Sequence, residues 1–137
     1  MPSKHRAPLL NGQMILVVDD QAQVRSLIRQ TLESRGAVIL EAASTSEALA
    51  IVKGLPGAFA LAIVDFLMPG LSGLDLAAQL GRDVPGLQIL YMSSAIESIA
   101  MESLLRRSPE RVLLKPFTLE ELIERVVLLL GRAEERG

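Results

Sequence analysis

The chain has 137 residues, of which 50% are hydrophobic and 22% charged, with 14 basic against 16 acidic side chains and a net charge of −2. One globular domain with a self-sufficient core is the expected organisation, and so even a charge balance gives no electrostatic case for nucleic acid or an anionic membrane surface. There is no cysteine, which excludes disulfides, thiolate catalysis and zinc–sulfur sites.

Residues 1–13 mix Pro, Ser, Lys, His, Arg and Asn-Gly and read as a flexible leader. The lone histidine, His5, lies there and is expected to be solvated. No apolar core of signal-peptide type is present, and the longest late apolar stretch, residues 126–130, is far too short to span a bilayer. A soluble, cytoplasmic protein is expected. Residues 14–19 form the first strand. Val24, Leu27, Ile28 and Leu32 follow at helical spacing over residues 21–35, and Gly36 stops that helix. Residues 38–42 are strand two. Ser44 and Glu47 have capping-box spacing ahead of a short helix ending near Lys53, which Gly54-Leu55-Pro56-Gly57 breaks. Residues 59–64 are strand three, residues 69–73 a Pro/Gly loop, and residues 74–80 a third helix. Strand four covers 87–92. Ile96, Ile99, Ala100, Leu104 and Leu105 mark a fourth helix ending before Pro109. Strand five covers 112–114. Thr118 and Glu121 form a second capping box opening a final helix, and residues 132–137 read as a frayed tail.

Five strands alternating with five helices argue for an α/β fold: one doubly wound, five-stranded parallel sheet over residues 14–131, covered on both faces. Asp19 and Asp20 end the first apolar run, Asp65 the third, and Lys115 the last. In a parallel sheet these ends share one edge, where open α/β sheets place their ligands. Three carboxylates that repel each other call for a cation among them, and hard oxygen donors with little else favour Mg²⁺. A lysine on the rim suggests an anionic ligand, most plausibly a phosphoryl group. Asp65, the isolated carboxylate, is the candidate nucleophile. The competing reading of Asp19 and Asp20 is a capping pair for the first helix.

These motifs carry a family resemblance. Val17-Val18-Asp19-Asp20, Asp65-Phe66-Leu67-Met68-Pro69-Gly70 with Gly73 beyond, Tyr91-Met92-Ser93 and Leu114-Lys115-Pro116-Phe117, in this order at strand ends, resemble the receiver domains of two-component response regulators. Both the single-domain chemotaxis type and the receivers of hybrid histidine kinases are similar. The resemblance covers residues 14–130. It implies a flavodoxin-like sheet of order 2-1-3-4-5, Asp65 as phosphoacceptor, and Mg²⁺ held by Asp20, by Asp19 directly or through water, by Asp65 and by the Leu67 backbone carbonyl. Ser93, with Ser94 one register step away, would bind a phosphoryl oxygen. Lys115 would pair with the acyl phosphate, aimed by a cis bond to Pro116. The implied partners are a histidine kinase or histidine phosphotransfer protein, and an unidentified downstream protein on the face of the fourth helix, fifth strand and fifth helix (residues 96–107, 111–114 and 119–130). A monomer or a weak phosphorylation-linked dimer is expected.

Two departures stand out. Val112 occupies a position where many members carry a reporter aromatic, and a β-branched side chain has no ring to swing. Ala95 and Leu67 offer no side-chain hydrogen bond to a hydrolytic water, so slow loss of phosphate is expected. The chain then reads as a substrate and switch rather than an enzyme. The competing readings are a phosphate-independent adaptor and a Mg²⁺-dependent aspartyl phosphohydrolase. A phosphohydrolase of the haloacid dehalogenase type needs a second acid where Leu67 stands.

Overall fold

The computed structural model describes residues 10–68, 72–94 and 98–136. Its elements are β1 (Met14–Val18), α1 (Ala22–Glu33), β2 (Val38–Ala42), α2 (Thr45–Gly54), β3 (Leu61–Asp65), α3 (Gly73–Asp83), β4 (Gln88–Ser93), α4 (Ile99–Arg107), β5 (Val112–Leu114) and α5 (Leu119–Arg136), with a 3-10 turn, Pro109–Arg111, ahead of β5. His5, Pro69, Gly70, Ala95 and Ile96 lie outside the described residues.

All strand pairs are parallel, as the pattern predicts, and their order is β2-β1-β3-β4-β5, as the family resemblance implies. Successive strand residues point to opposite faces, and the sheet uses that alternation fully. Leu16, Val18, Ala62, Val64, Ile89, Tyr91 and Val112 pack with Ala48 and Val52 of α2, Leu76 and Leu80 of α3, and Met101 and Leu104 of α4. Ile15, Val17, Leu61, Ile63, Leu90, Met92 and Leu113 turn the other way, onto Ile28 and Leu32 of α1 and Leu122, Val126 and Leu129 of α5. Both faces are therefore covered, which is why the strands read as near-continuous apolar runs.

The helix starts follow their caps. Ser44 accepts from the Glu47 amide while Glu47 accepts from the Ala43 amide. Thr118 and Glu121 satisfy each other's backbone N–H groups in the same manner. Ser72 and Ser98, which the sequence reading did not single out, cap α3 and α4.

Both ends of the domain depart from expectation. Leu10 is buried among the α1/α5 core residues, and its amide donates to the Arg35 carbonyl at 2.6 Å. The last residues assigned to the leader thus belong to the domain. At the other end Gly131 does not stop α5, which continues to Arg136. Arg132, on that extension, pairs with Glu110 of the 3-10 turn at 2.8 Å, so the expected frayed tail is helical as far as Arg136. Earlier in the same helix, the Arg125 guanidinium donates to the Val112 carbonyl of edge strand β5. Within α1, Leu27 stays largely exposed while Ile28 and Leu32 are buried.

Candidate functional site

Parallel pairing brings the C-terminal ends of β1, β3, β4 and β5 to one edge, and the predicted residues meet there. A cavity of about 300 Å³ is lined by Asp20, Gln21, Asp65, Leu67, Ser93, Ser94 and Lys115. Carboxylate oxygens of Asp19, Asp20 and Asp65 all lie within 4.8 Å of one another.

Asp19 is fully buried and held from several sides. Its amide donates to the Ala42 carbonyl of β2. Its Oδ1 accepts from the Gln21 amide at 2.8 Å, and its Oδ2 faces Lys115 Nζ at 3.3 Å. Asp20 is exposed, and no hydrogen bond or ion pair ties its carboxylate to another described residue. Asp20 does not cap α1: the N-cap is Gln21, without a side-chain bond.

Asp65 ends β3 with little exposure. Its Oδ1 accepts from the Leu67 amide at 3.2 Å, and its Oδ2 lies 3.7 Å from Lys115 Nζ. Burial, seconded by the Asp19 charge, pushes the Asp65 carboxyl up from its ordinary range; Lys115 and the Leu67 amide pull it back only in part, and Asp20 adds a smaller upward push. Lys115 is placed from its backbone, whose amide donates to the Ser93 carbonyl at 2.7 Å, and its bond to Pro116 is cis. Ser93 is buried and Ser94 exposed; both line the cavity.

One ammonium among three carboxylates leaves the site short of positive charge. The candidate ligands among the described residues, Asp19, Asp20 and Asp65, are all hard carboxylate oxygens, which fits a small divalent cation of the Mg²⁺ type. Exposed Asp20, facing the cavity and without a side-chain partner among the described residues, is placed to take it up.

Two supports of this site were not explained by the sequence: Gly73 stood in the family motif without a stated reason, and Arg25 was not singled out. Gly73, the first residue of α3, packs directly on the backbone that carries Asp65: an added Cβ would lie 2.8 Å from the Asp65 carbonyl oxygen. Arg25, from α1, reaches the Asp19 carbonyl at 2.7 Å. A charged residue, Glu41, inside the apolar run of β2 was the available signal for a half-buried ion pair with Arg25.

A doubly wound sheet with an acidic pocket on its C-terminal edge has the architecture of a receiver. Residues 15–127 match the model of the response regulator receiver domain family, and the chain belongs to that family. It is 34% identical to the transcriptional regulatory protein ResD of Bacillus subtilis over 91% of this chain and 51% of that protein. It is 35% identical to the phosphate regulon transcriptional regulatory protein PhoB of Pseudomonas aeruginosa, over 88% of this chain and 53% of that protein. The chain thus spans about half the length of these relatives. Among solved structures, a CheY-like receiver domain protein from Methanospirillum hungatei superposes with a TM-score of 0.81 at 24% identity, covering 93% of this chain and all of that one (100%); this likeness speaks to the fold. NtrX of Brucella abortus gives 0.80 at 27% identity, over 91% of this chain and 28% of that chain. No helix among the described residues is long and apolar enough to cross a membrane.

Proposed function

We propose that this chain accepts a phosphoryl group on Asp65, with Mg²⁺, and passes the event on as a change in a protein-binding surface. The observation that carries the reading is the convergence of Asp19, Asp20 and Asp65 within 4.8 Å, with Lys115 Nζ 3.7 Å from Asp65. Phosphoryl transfer asks a protein for positioning and charge neutralisation more than for covalent help. Bound Mg²⁺ supplies neutralisation of the carboxylates and of the phosphoryl oxygens.

The chain's own residues do the rest. An Asp65 carboxylate oxygen attacks the phosphorus of a phosphohistidine on a histidine kinase or phosphotransfer protein. The new O–P bond forms as the N–P bond breaks, and the imidazole leaves. Lys115, already between Asp19 and Asp65, transfers its contact to a phosphoryl oxygen. The Ser93 hydroxyl donates to another, and the backbone joining Ser93 to Lys115 transmits the pull to β5 and α4. The output surface is the face of α4, β5 and α5. Apolar Leu67 gives a hydrolytic water no side-chain partner, so the aspartyl phosphate is lost slowly and the chain is a switch rather than an enzyme, acting in the cytoplasm.

Intact-mass spectrometry with acetyl phosphate tests the reading. Wild type should gain one phosphoryl group, stoichiometrically and only with Mg²⁺. Asp65→Asn should gain none while unfolding at a similar midpoint. Full labelling of that variant would refute the acceptor. Steady turnover of acetyl phosphate would point to a phosphohydrolase, and no uptake to an adaptor.

A further inference from the structure

Asp19 and Asp20 are adjacent, yet they are positioned by different means. The Asp19 carboxylate is fixed by Gln21 and Lys115. That of Asp20 has no partner among the described residues, so its place is set by the backbone alone. The peptide joining the two is gripped at its oxygen: Arg25 Nη1 donates to the Asp19 carbonyl at 2.7 Å. The same guanidinium donates through Nε to Glu41 Oε1 at 3.0 Å. Arg29, one turn on, holds the other Glu41 oxygen at 2.9 Å. Glu41 precedes Ala42, whose carbonyl takes the Asp19 amide. The Arg25 side chain is only 15% exposed, against 44% for Arg29, so it is not an ordinary solvated surface charge.

From this geometry we infer that Arg25 is a positioning residue for the metal-binding aspartates: its planar fork braces the Asp19–Asp20 peptide against β2 and holds Asp20 where it can ligate the cation. The inference rests on the Mg²⁺ reading above. Its sign separates it from simple electrostatics. Removing a cation close to three carboxylates should, by Coulomb's law alone, tighten Mg²⁺ binding. Loss of positioning should weaken it, and groups that orient metal ligands typically contribute about 10–100-fold in affinity.

The test is Mg²⁺ titration of the metal-stripped full chain by calorimetry, with thermal unfolding in chelator as a second readout. Arg25→Gln should weaken Mg²⁺ binding about tenfold. Arg25→Lys keeps the charge but cannot span both acceptors as the fork does, and should weaken it too. Arg29→Ala, which disturbs Glu41 but not the Asp19 carbonyl, should bind Mg²⁺ as wild type does. Both Arg25 variants should melt within a few degrees of Arg29→Ala. Tighter or unchanged binding in Arg25→Gln would overturn the inference, as would wild-type affinity in Arg25→Lys. Equal weakening in Arg29→Ala, or an Arg25 variant that fails to fold without metal, would assign the cluster to fold stability instead. A wild type that takes up no Mg²⁺ would remove the metal reading itself.

Discussion

Replacing Gly73 by alanine should damage phosphoryl acceptance through a steric route that can be read directly from the packing. A Cβ at this position would sit 2.8 Å from the Asp65 carbonyl oxygen, 2.8 Å from Phe66 Cα and 3.2 Å from the Phe66 oxygen. These are backbone atoms, and the Gly73 amide is bonded to that Phe66 oxygen at 2.9 Å, so no flexible side chain can move aside. Ordinary carbon contacts begin near 3.5 Å, so α3 and the end of β3 must separate by roughly 0.7 Å. Overpacking of this kind costs about 1–3 kcal/mol, of which the better helix propensity of alanine returns less than about 1 kcal/mol at a first-turn position. The expected net loss is about 1–2 kcal/mol, a fall of roughly 3–8 °C in unfolding midpoint. Asp65 moves with its backbone, so acetyl-phosphate labelling should slow about tenfold, since misplacement on the ångström scale costs up to about 10²-fold. Gly81, in the same helix, has nothing within 4 Å of its own added Cβ, and Gly81→Ala should stabilise by about 0.5–1 kcal/mol. Labelling rates from intact mass, with midpoints in parallel, decide the matter. A Gly73→Ala protein that labels and melts like wild type would refute the close-approach argument.

Other consequences can be measured alongside. The raised Asp65 pKa means that the metal-free folded state holds this proton more tightly than the unfolded chain does. The associated stability is fully present below the unfolded value and is lost as pH rises through the folded one. In chelator, Asp65→Asn should therefore be the more stable protein near pH 7, and its advantage should shrink toward about pH 4; urea midpoints that diverge on acidification would contradict this. Asp20→Ala should raise metal-free stability by no more than about 1 kcal/mol, because Asp20 is exposed, while removing Mg²⁺ binding in calorimetry. Val112 is buried opposite Tyr91, so Val112→Phe should cost about 1–3 kcal/mol by overpacking and show as a lower melting midpoint. Ser93→Ala should still label on Asp65, yet lose the amide-exchange response of α4, β5 and α5 to the acyl-phosphate mimic beryllofluoride.

Element types and order were legible because the strands are apolar on both faces and the helices carry periodic apolar stripes. The meeting of Asp19, Asp20, Asp65 and Lys115 followed from parallel topology, since each stands at or just past a strand end, while Ser93 was picked out by the family resemblance. What escaped was non-local or steric. Arg25 and Glu41 are 16 residues apart, and nothing local pairs them. Gly73 is visible as a glycine, but the need for one lies in how closely α3 approaches β3. Leu10 looked like part of a polar leader, and only the assembled α1/α5 core shows the gap it fills. Residues 132–137 read as a frayed tail because they are charged and follow a glycine, which weakens a helix, yet the ion pair between Arg132 and Glu110 ties the end of α5 to the 3-10 turn.

The contact between Arg125 and Val112 bears on the kind of partner this domain can recruit. Main-chain groups of a strand alternate in direction. The Lys115 amide points inward to β4, so the Val112 carbonyl faces out from the edge of the sheet, and Arg125 occupies it. An incoming peptide that sought to add itself as a sixth strand would find the Val112 carbonyl already engaged, on a strand only three residues long. Recognition by strand addition gains affinity from such unclaimed backbone groups, and here one of the few that the edge offers is already engaged. A partner on the output face proposed above would then rely chiefly on side chains and helix surface.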